Sequence, residues 1–224
     1  MEEHPYRDSI IRRASSSDIY ALVNICRMAF PRNVRWQGFG SFARRWWEVA
    51  IMSSGAEALI IQVNDEVLAL CVLVTDEAQW SQEKGQRRGP FVWRFISVMS
   101  CPVLAGSKIM RVMMDKIDSH QTQQPAVCDW KPKRRTWIEL IAVCTQHRGR
   151  GLAKSLLQHC ETRTIALGKK AISLRVHKSN KAARCLYKTM GYQETSVSGV
   201  DVIYSKLISY SAEPSFEKAP GRGL

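Results

Sequence analysis

The sequence predicts a mixed α/β fold, with a central sheet of six to seven strands flanked by helices. Three observations carry this. The apolar run "TWIELIAV", the helix-period stretch "GLAKSLLQHCETRTIALG" and the apolar run "AISLRVH" follow one another as strand, helix and strand. That order makes a βαβ unit whose two strands run parallel. Upstream, "EALIIQV" and "EVLALCVLV" meet at Asn64-Asp65-Glu66, the pattern of a hairpin. A hydrophobic content of 45% over 224 residues is enough for one large core. A single domain over residues 1–210 is expected.

In chain order, "IIRRA" reads as a short first strand. "SSSDIYALVNICRMAF" follows as a helix, with Ser16 or Ser17 as N-cap and Ile19, Leu22, Val23 and Cys26 at helical spacing. Pro31 ends it. "FGSFARRWWEVAIMSS" is a second amphipathic helix, closed near Gly55. After the hairpin, residues 76–135 read as an insertion between the third and fourth strands. It opens with the polar loop "DEAQWSQEKGQRRGP". The Met-rich run from Phe91 to Ser119 predicts one or two helices broken near Pro102 and Gly106, and a further loop, "HQTQQPAVCDWKPKRR", completes it.

The helix after "TWIELIAV" sets Leu152, Leu156, Cys160 and Leu167 on one side and is closed by Gly168. "SNKAARCLYKTM" is a helix capped by Ser179 or Asn180 and stopped by Gly191. "YQETSVS" and "DVIYSKLIS" form a terminal hairpin around Gly199. Residues 211–224 read as a disordered tail.

Composition bounds the function. No apolar run approaches 18 residues, so no membrane-spanning helix is expected. The start "MEEHPYRDS" lacks an apolar signal region, and the seven scattered cysteines have no CxxC spacing. A reducing, cytoplasmic setting without a structural metal fits these features. The net charge of +13 implies attraction to anions, be they a nucleic acid or a polyanionic cofactor.

"RGRGLAKS" sits where that apolar strand passes into its helix. A nucleoside-triphosphate loop needs glycines where Arg148 and Ala153 stand, and a dinucleotide fingerprint needs a third glycine where Lys154 stands. Both are excluded. What remains is an anion site at a helix N-terminus. Gly149 and Gly151 let backbone approach a ligand, the first-turn N–H groups point outward, and Arg148 and Arg150 add charge. A pyrophosphate matches this shape. The alternative is a glycine-rich turn serving only strand–helix packing.

"VCTQHRGRGLAKSLL" resembles the cofactor motif of the GNAT superfamily of N-acetyltransferases, with Arg148, Gly151 and Ala153 at its core positions. "NKAARCLYKTMGY" is similar to the family's second cofactor motif, and "IRRASSSDIYALVNICRMAF" to its opening. The likeness covers about three-quarters of the chain, and the long insertion is where it departs.

The resemblance implies a donor, acetyl-CoA, whose pyrophosphate lies on the amides of Arg148, Gly149, Arg150, Gly151, Leu152, Ala153 and Lys154. It implies a pantetheine arm along the main chain of Ile141, Ala142 and Val143, where the fourth and fifth strands splay apart. Asn180 then caps its helix and touches that arm, and the N–H of Val143 polarises the thioester carbonyl. The reaction is direct attack of an amine on the thioester.

Strand alternation along "TWIELIAV" puts Trp137, Glu139, Ile141 and Val143 on one face. Glu139 stands where family members often carry a carboxylate, which implies a general base acting through water. Its alternative role is a sheet-face carboxylate paired with an arginine. Tyr187 stands where the family's tyrosine protonates the departing thiolate; its alternative is a core tyrosine. His147 faces solvent from the loop. Cys144 borders the donor path but has no histidine partner for an acyl-cysteine route.

The acceptor is expected to be a small-molecule primary amine, because the basic surface repels lysine-rich peptides. A protein or peptide acceptor, a non-catalytic CoA-binding protein and a nucleic-acid-binding protein using "KPKRR" are the rival readings. The Met-rich stretch is a lid, extra core or a homodimer contact.

Overall fold

The computed structural model describes residues 9–31, 33–37, 40–86 and 134–208. The expected Met-rich helices, the second loop of the insertion up to residue 133 and the tail from residue 211 lie outside them. Seven strands form one sheet: β1 (Ile10–Arg13), β2 (Ala56–Val63), β3 (Glu66–Val74), β4 (Arg135–Val143), β5 (Ala171–His177), β6 (Gln193–Ser198) and β7 (Asp201–Leu207), in spatial order β1-β2-β3-β4-β5-β7-β6. Among the described residues only β4 and β5 pair in parallel. The expected βαβ crossover is therefore present. The β2–β3 turn places Asn64 and Asp65 at φ 46° and 64°, the left-handed pair whose twist matches a tight hairpin.

Helices cover both faces. On one lie α1 (Ile19–Ala29), the short α2 (Val34–Gln37), α3 (Gly40–Met52) and α4 (Glu77–Gln86). Their core holds Leu22, Cys26, Trp36, Trp46, Trp47 and Trp80 against Ile60, Leu70 and Val72. On the other lie α5 (Leu152–Ala166) and α6 (Lys181–Thr189), with Leu156, Leu157, Cys160 and Tyr187 against Leu59, Cys71 and Leu174. Burying Leu156 and Leu157 completely contributes about 2 kcal/mol each. Among the described residues no helix is long and apolar enough to cross a membrane.

Four local expectations are corrected. The first cap is Ser15, not Ser16 or Ser17. A 3-10 turn, Ser16–Asp18, precedes α1, and the Asp18 carboxylate accepts from the Ser15 N–H at 2.7 Å. The polar stretch after β3 begins as helix α4 instead of a loop. Leu167 caps α5 half-buried, while Leu157 and Thr164 take inward places beside Leu152, Leu156 and Cys160.

The fourth correction concerns β4. Val72 opposes Leu140 and Leu73 opposes Ile138, so Glu139 is an extra residue with no partner on β3. Such a bulge breaks the alternation. Ile141 and Val143 pack on the α5 side, whereas Trp137, Leu140 and Ala142 belong to the α1–α3 side.

Candidate active site

The β4–β5 ladder is short. It runs from Arg135 opposite Ala171 to Ile138 opposite Leu174 and stops. Beyond that point β4 continues to Val143 on β3 alone, and β5 continues to His177 on β7 alone. A gap thus opens between the strands from Glu139 onward. Cys144 N–H bonds Leu68 O of β3 at 2.8 Å. Main-chain groups alternate in direction along a strand. The N–H and C=O of Val143 and Ile141 therefore face the gap, and those of Ala142 face β3. The structure thus separates Ala142 from the other two main-chain candidates.

The loop "RGRGLAKS" lies at the end of β4. Gly149 and Gly151 have φ of 77° and 84°, and a Cβ on either would meet nothing within 4 Å. Their need is conformational, and the space above them is open. Gly151 is the N-cap of α5 and supplies no side-chain cap, so Leu152, Ala153 and Lys154 present first-turn N–H groups with the helix dipole behind them. The helix's own bonding begins with Ser155 N–H to Gly151 O at 3.0 Å. Arg148 reaches back with its Nε to the Val143 carbonyl at 3.3 Å, tying the loop to the edge of the gap. Arg150 and Lys154 are exposed on the same loop, and His147 is half-buried in the preceding 3-10 turn instead of facing solvent. These residues suit a pyrophosphate at the helix end and an extended arm in the gap.

Glu139 and Tyr187 lie on opposite faces of the sheet. Glu139 Oε1 accepts from Lys84 Nζ at 3.3 Å, and Lys84 lies over the Trp80 ring at 4.9 Å, so this carboxylate points to the α4 side. It shares that side with Trp137, whose ring is approached by the Arg135 and Arg175 guanidinium groups at 5.4 and 5.8 Å. Its partner is a lysine and not one of the arginines.

Tyr187 is buried on the α5–α6 side between the rings of Tyr192 and Tyr204, at 6.0 and 5.8 Å. Burial, with a smaller contribution from Cys71, pushes its phenol above the ordinary range, so it stays protonated. Cys71 lies on β3, one strand away from the gap, in register with Ile141. Asn180 caps α6, its Oδ1 accepting from Ala183 N–H at 3.2 Å. Asn180 and Tyr187 are about two helical turns apart, on one face. Cys144 is buried, its thiol bonded to Gln146 Oε1 at 3.0 Å. Among the described residues no group of three metal-ligating side chains gathers.

Two features escaped the sequence. Lys84 sits in the stretch expected to be loop, and only its apolar neighbour Trp80 hints at a buried face. The bulge at Glu139 leaves no compositional mark.

Compared with known families, residues 19–192 match the acetyltransferase (GNAT) family. The chain is a GNAT acetyltransferase. Among GNAT relatives, an uncharacterized N-acetyltransferase, YycN of Bacillus subtilis, is 33% identical over 75 residues. That match spans 34% of this chain and 45%, less than half, of the relative's length. Solved GNAT-like structures share the fold at low identity. An N-acetyltransferase from Staphylococcus aureus Mu50 has a TM-score of 0.57 at 14% identity, over 90% of this chain and 99% of that one. The ribosomal-protein-S18-alanine N-acetyltransferase of Escherichia coli has 0.53 at 16%, over 92% and 97%. The PaiA N-acetyltransferase of Thermoplasma acidophilum, solved with coenzyme A, has 0.52 at 12%, over 89% and 98%.

Proposed function

We propose that this GNAT domain, residues 1–210, transfers the acetyl group of acetyl-CoA to a primary amine of a small molecule by direct attack. The observation that carries this reading is the β4–β5 gap, which begins at Glu139 and ends beside a glycine loop at a helix N-terminus. The amides of Arg148 to Lys154 bind the donor's pyrophosphate. The inward main-chain groups of Ile141 and Val143 bind its pantetheine arm, and Asn180 touches the arm from its cap.

Attack needs a deprotonated amine, a polarised carbonyl and a proton for the thiolate. Glu139 takes the amine proton on one face of the sheet. The Val143 N–H stabilises the carbonyl oxygen as charge develops there. Tyr187, kept protonated by burial, supplies the thiolate's proton from the other face. No acyl-enzyme step is used, because Cys144 is engaged with Gln146.

The net charge of +13 disfavours a lysine-rich basic tail as acceptor. The reduced cysteines Cys26, Cys71, Cys144 and Cys160, all buried, suit a cytoplasmic setting. The test is a panel of primary amines and of peptides incubated with acetyl-CoA, following free thiol release. Turnover with small amines and little with peptides is expected. Preferential turnover of peptides would overturn the acceptor assignment.

A further inference from the structure

Lys84 lies against the candidate base. Its Nζ is 3.3 Å from Glu139 Oε1, and both side chains are about a quarter exposed or less, at 21% and 25%. It arrives from α4, outside the two cofactor motifs, and α4 is fixed in place. Glu77 bonds Arg135 Nε at 2.9 Å. Glu83 accepts from the Ser54 N–H and hydroxyl at 3.2 and 2.8 Å and from the Ser53 hydroxyl. Trp80 is buried against Trp46 at 6.0 Å, and the Lys84 ammonium lies over its ring at 4.9 Å. An amine bonded to the candidate base, at the residue where the gap opens, has the arrangement expected of a substrate.

We infer that Lys84 is an intramolecular acetylation site of this enzyme, modified by its own active site when no external amine is present. The inference rests on the acetyltransferase reading of the same site. The Lys84 ammonium gives one proton to Glu139, which releases it to solvent. The freed nitrogen lone pair attacks the acetyl carbonyl carbon of acetyl-CoA. A C–N bond forms, the C–S bond breaks, the thiolate takes the Tyr187 proton and leaves as free CoA thiol, and the second nitrogen proton restores Tyr187. The amide nitrogen keeps the third. Nothing is oxidised or reduced. The product has no charge at position 84, so the ion pair on Glu139 is lost and its Oε1 is open to an incoming amine.

The experiment incubates the full chain with acetyl-labelled acetyl-CoA and no amine, then maps the label by peptide mass spectrometry. Amine turnover is measured on the same preparation. One acetyl group on Lys84 is expected, appearing with first-order kinetics whose rate is independent of protein concentration. The label should be absent at position 84 in Lys84→Arg and form at least about tenfold more slowly in Glu139→Gln. Label on Lys84 no faster than on the exposed Lys188, or at a rate rising with protein concentration, would overturn the inference. Amine turnover without label on Lys84 would overturn this inference alone. Absence of both would remove the underlying reading as well.

Discussion

Ile138 opposite Leu174 is the last rung joining β4 to β5, and the next residue of β4 is Glu139. Parallel pairing thus ends where the bulge begins. The extra residue turns Glu139 and Leu140 toward the α1–α4 side together, and β4 leaves β5 with main chain on its inner edge that no strand pairs. Strand geometry thereby makes both a gap between β4 and β5 and a carboxylate at the residue where it opens.

Gly151→Ala tests the loop. The Cβ has room, so the penalty is the left-handed φ of 84° alone. A loss of about 1–2 kcal/mol in chemical denaturation is expected. The distorted cradle should also weaken acetyl-CoA binding roughly tenfold by calorimetry, about 1.4 kcal/mol.

Tyr187→Phe removes only the hydroxyl from a ring packed between Tyr192 and Tyr204. Stability at neutral pH should change little, acetyl-CoA affinity should hold, and kcat should fall on the order of 10²-fold. Burial holds the folded phenol above its ordinary value of 10.0. The stability this gives is present below about pH 10 and lost as pH rises further, because the unfolded chain then releases a proton that the folded one keeps. Denaturation midpoints between pH 8 and 11 should fall less steeply in the Phe variant.

Asp18→Asn tests the joint between β1 and α1. The bonds from Arg12 come first among the causes holding Asp18 at about 2, below its ordinary 3.8, against the opposing effect of burial. Arg12 bonds both carboxylate oxygens at 2.8 Å. The stability from this pair is present above about pH 4 and lost as pH falls toward 2. Denaturation at neutral pH should show a loss of about 2 kcal/mol in the variant, shrinking as the wild type is acidified.

Trp80→Ala tests whether α4 belongs to the fold. Trp80 is 3% exposed, and a loss of about 3–5 kcal/mol in chemical denaturation is expected. A loss below about 1 kcal/mol would mean that α4 is an appendage.

The strands and the long helices were legible because their periods are set by burial. Ile19, Leu22, Val23 and Cys26 all point inward at helical spacing, and the two glycine-bounded helices stop where Gly168 and Gly191 take positive φ. The glycine loop was legible because the positive φ at two positions of a strand-to-helix turn demands glycine. Helix α4 was hidden: its ten residues bury one aromatic side chain, and tertiary bonds to Arg135, Ser53 and Ser54 hold it. The inner edge of β4 was half legible. Ile141 and Val143 fell on one face as read, but an unpaired residue at Glu139 moves Trp137 to the other. The first cap was ambiguous because Ser15, Ser16 and Ser17 are chemically equal and only the placement of Asp18 chooses among them.

The central claim is that Glu139, at the mouth of the β4–β5 gap, is the base of an acetyl-CoA-dependent N-acetylation. Its most direct test is free thiol release with the best amine of the panel, comparing wild type with Glu139→Gln at saturating acetyl-CoA, with donor affinity measured in parallel. The account predicts a fall in kcat of roughly 10²–10⁴-fold with unchanged acetyl-CoA affinity. Full activity in the Gln variant would contradict it.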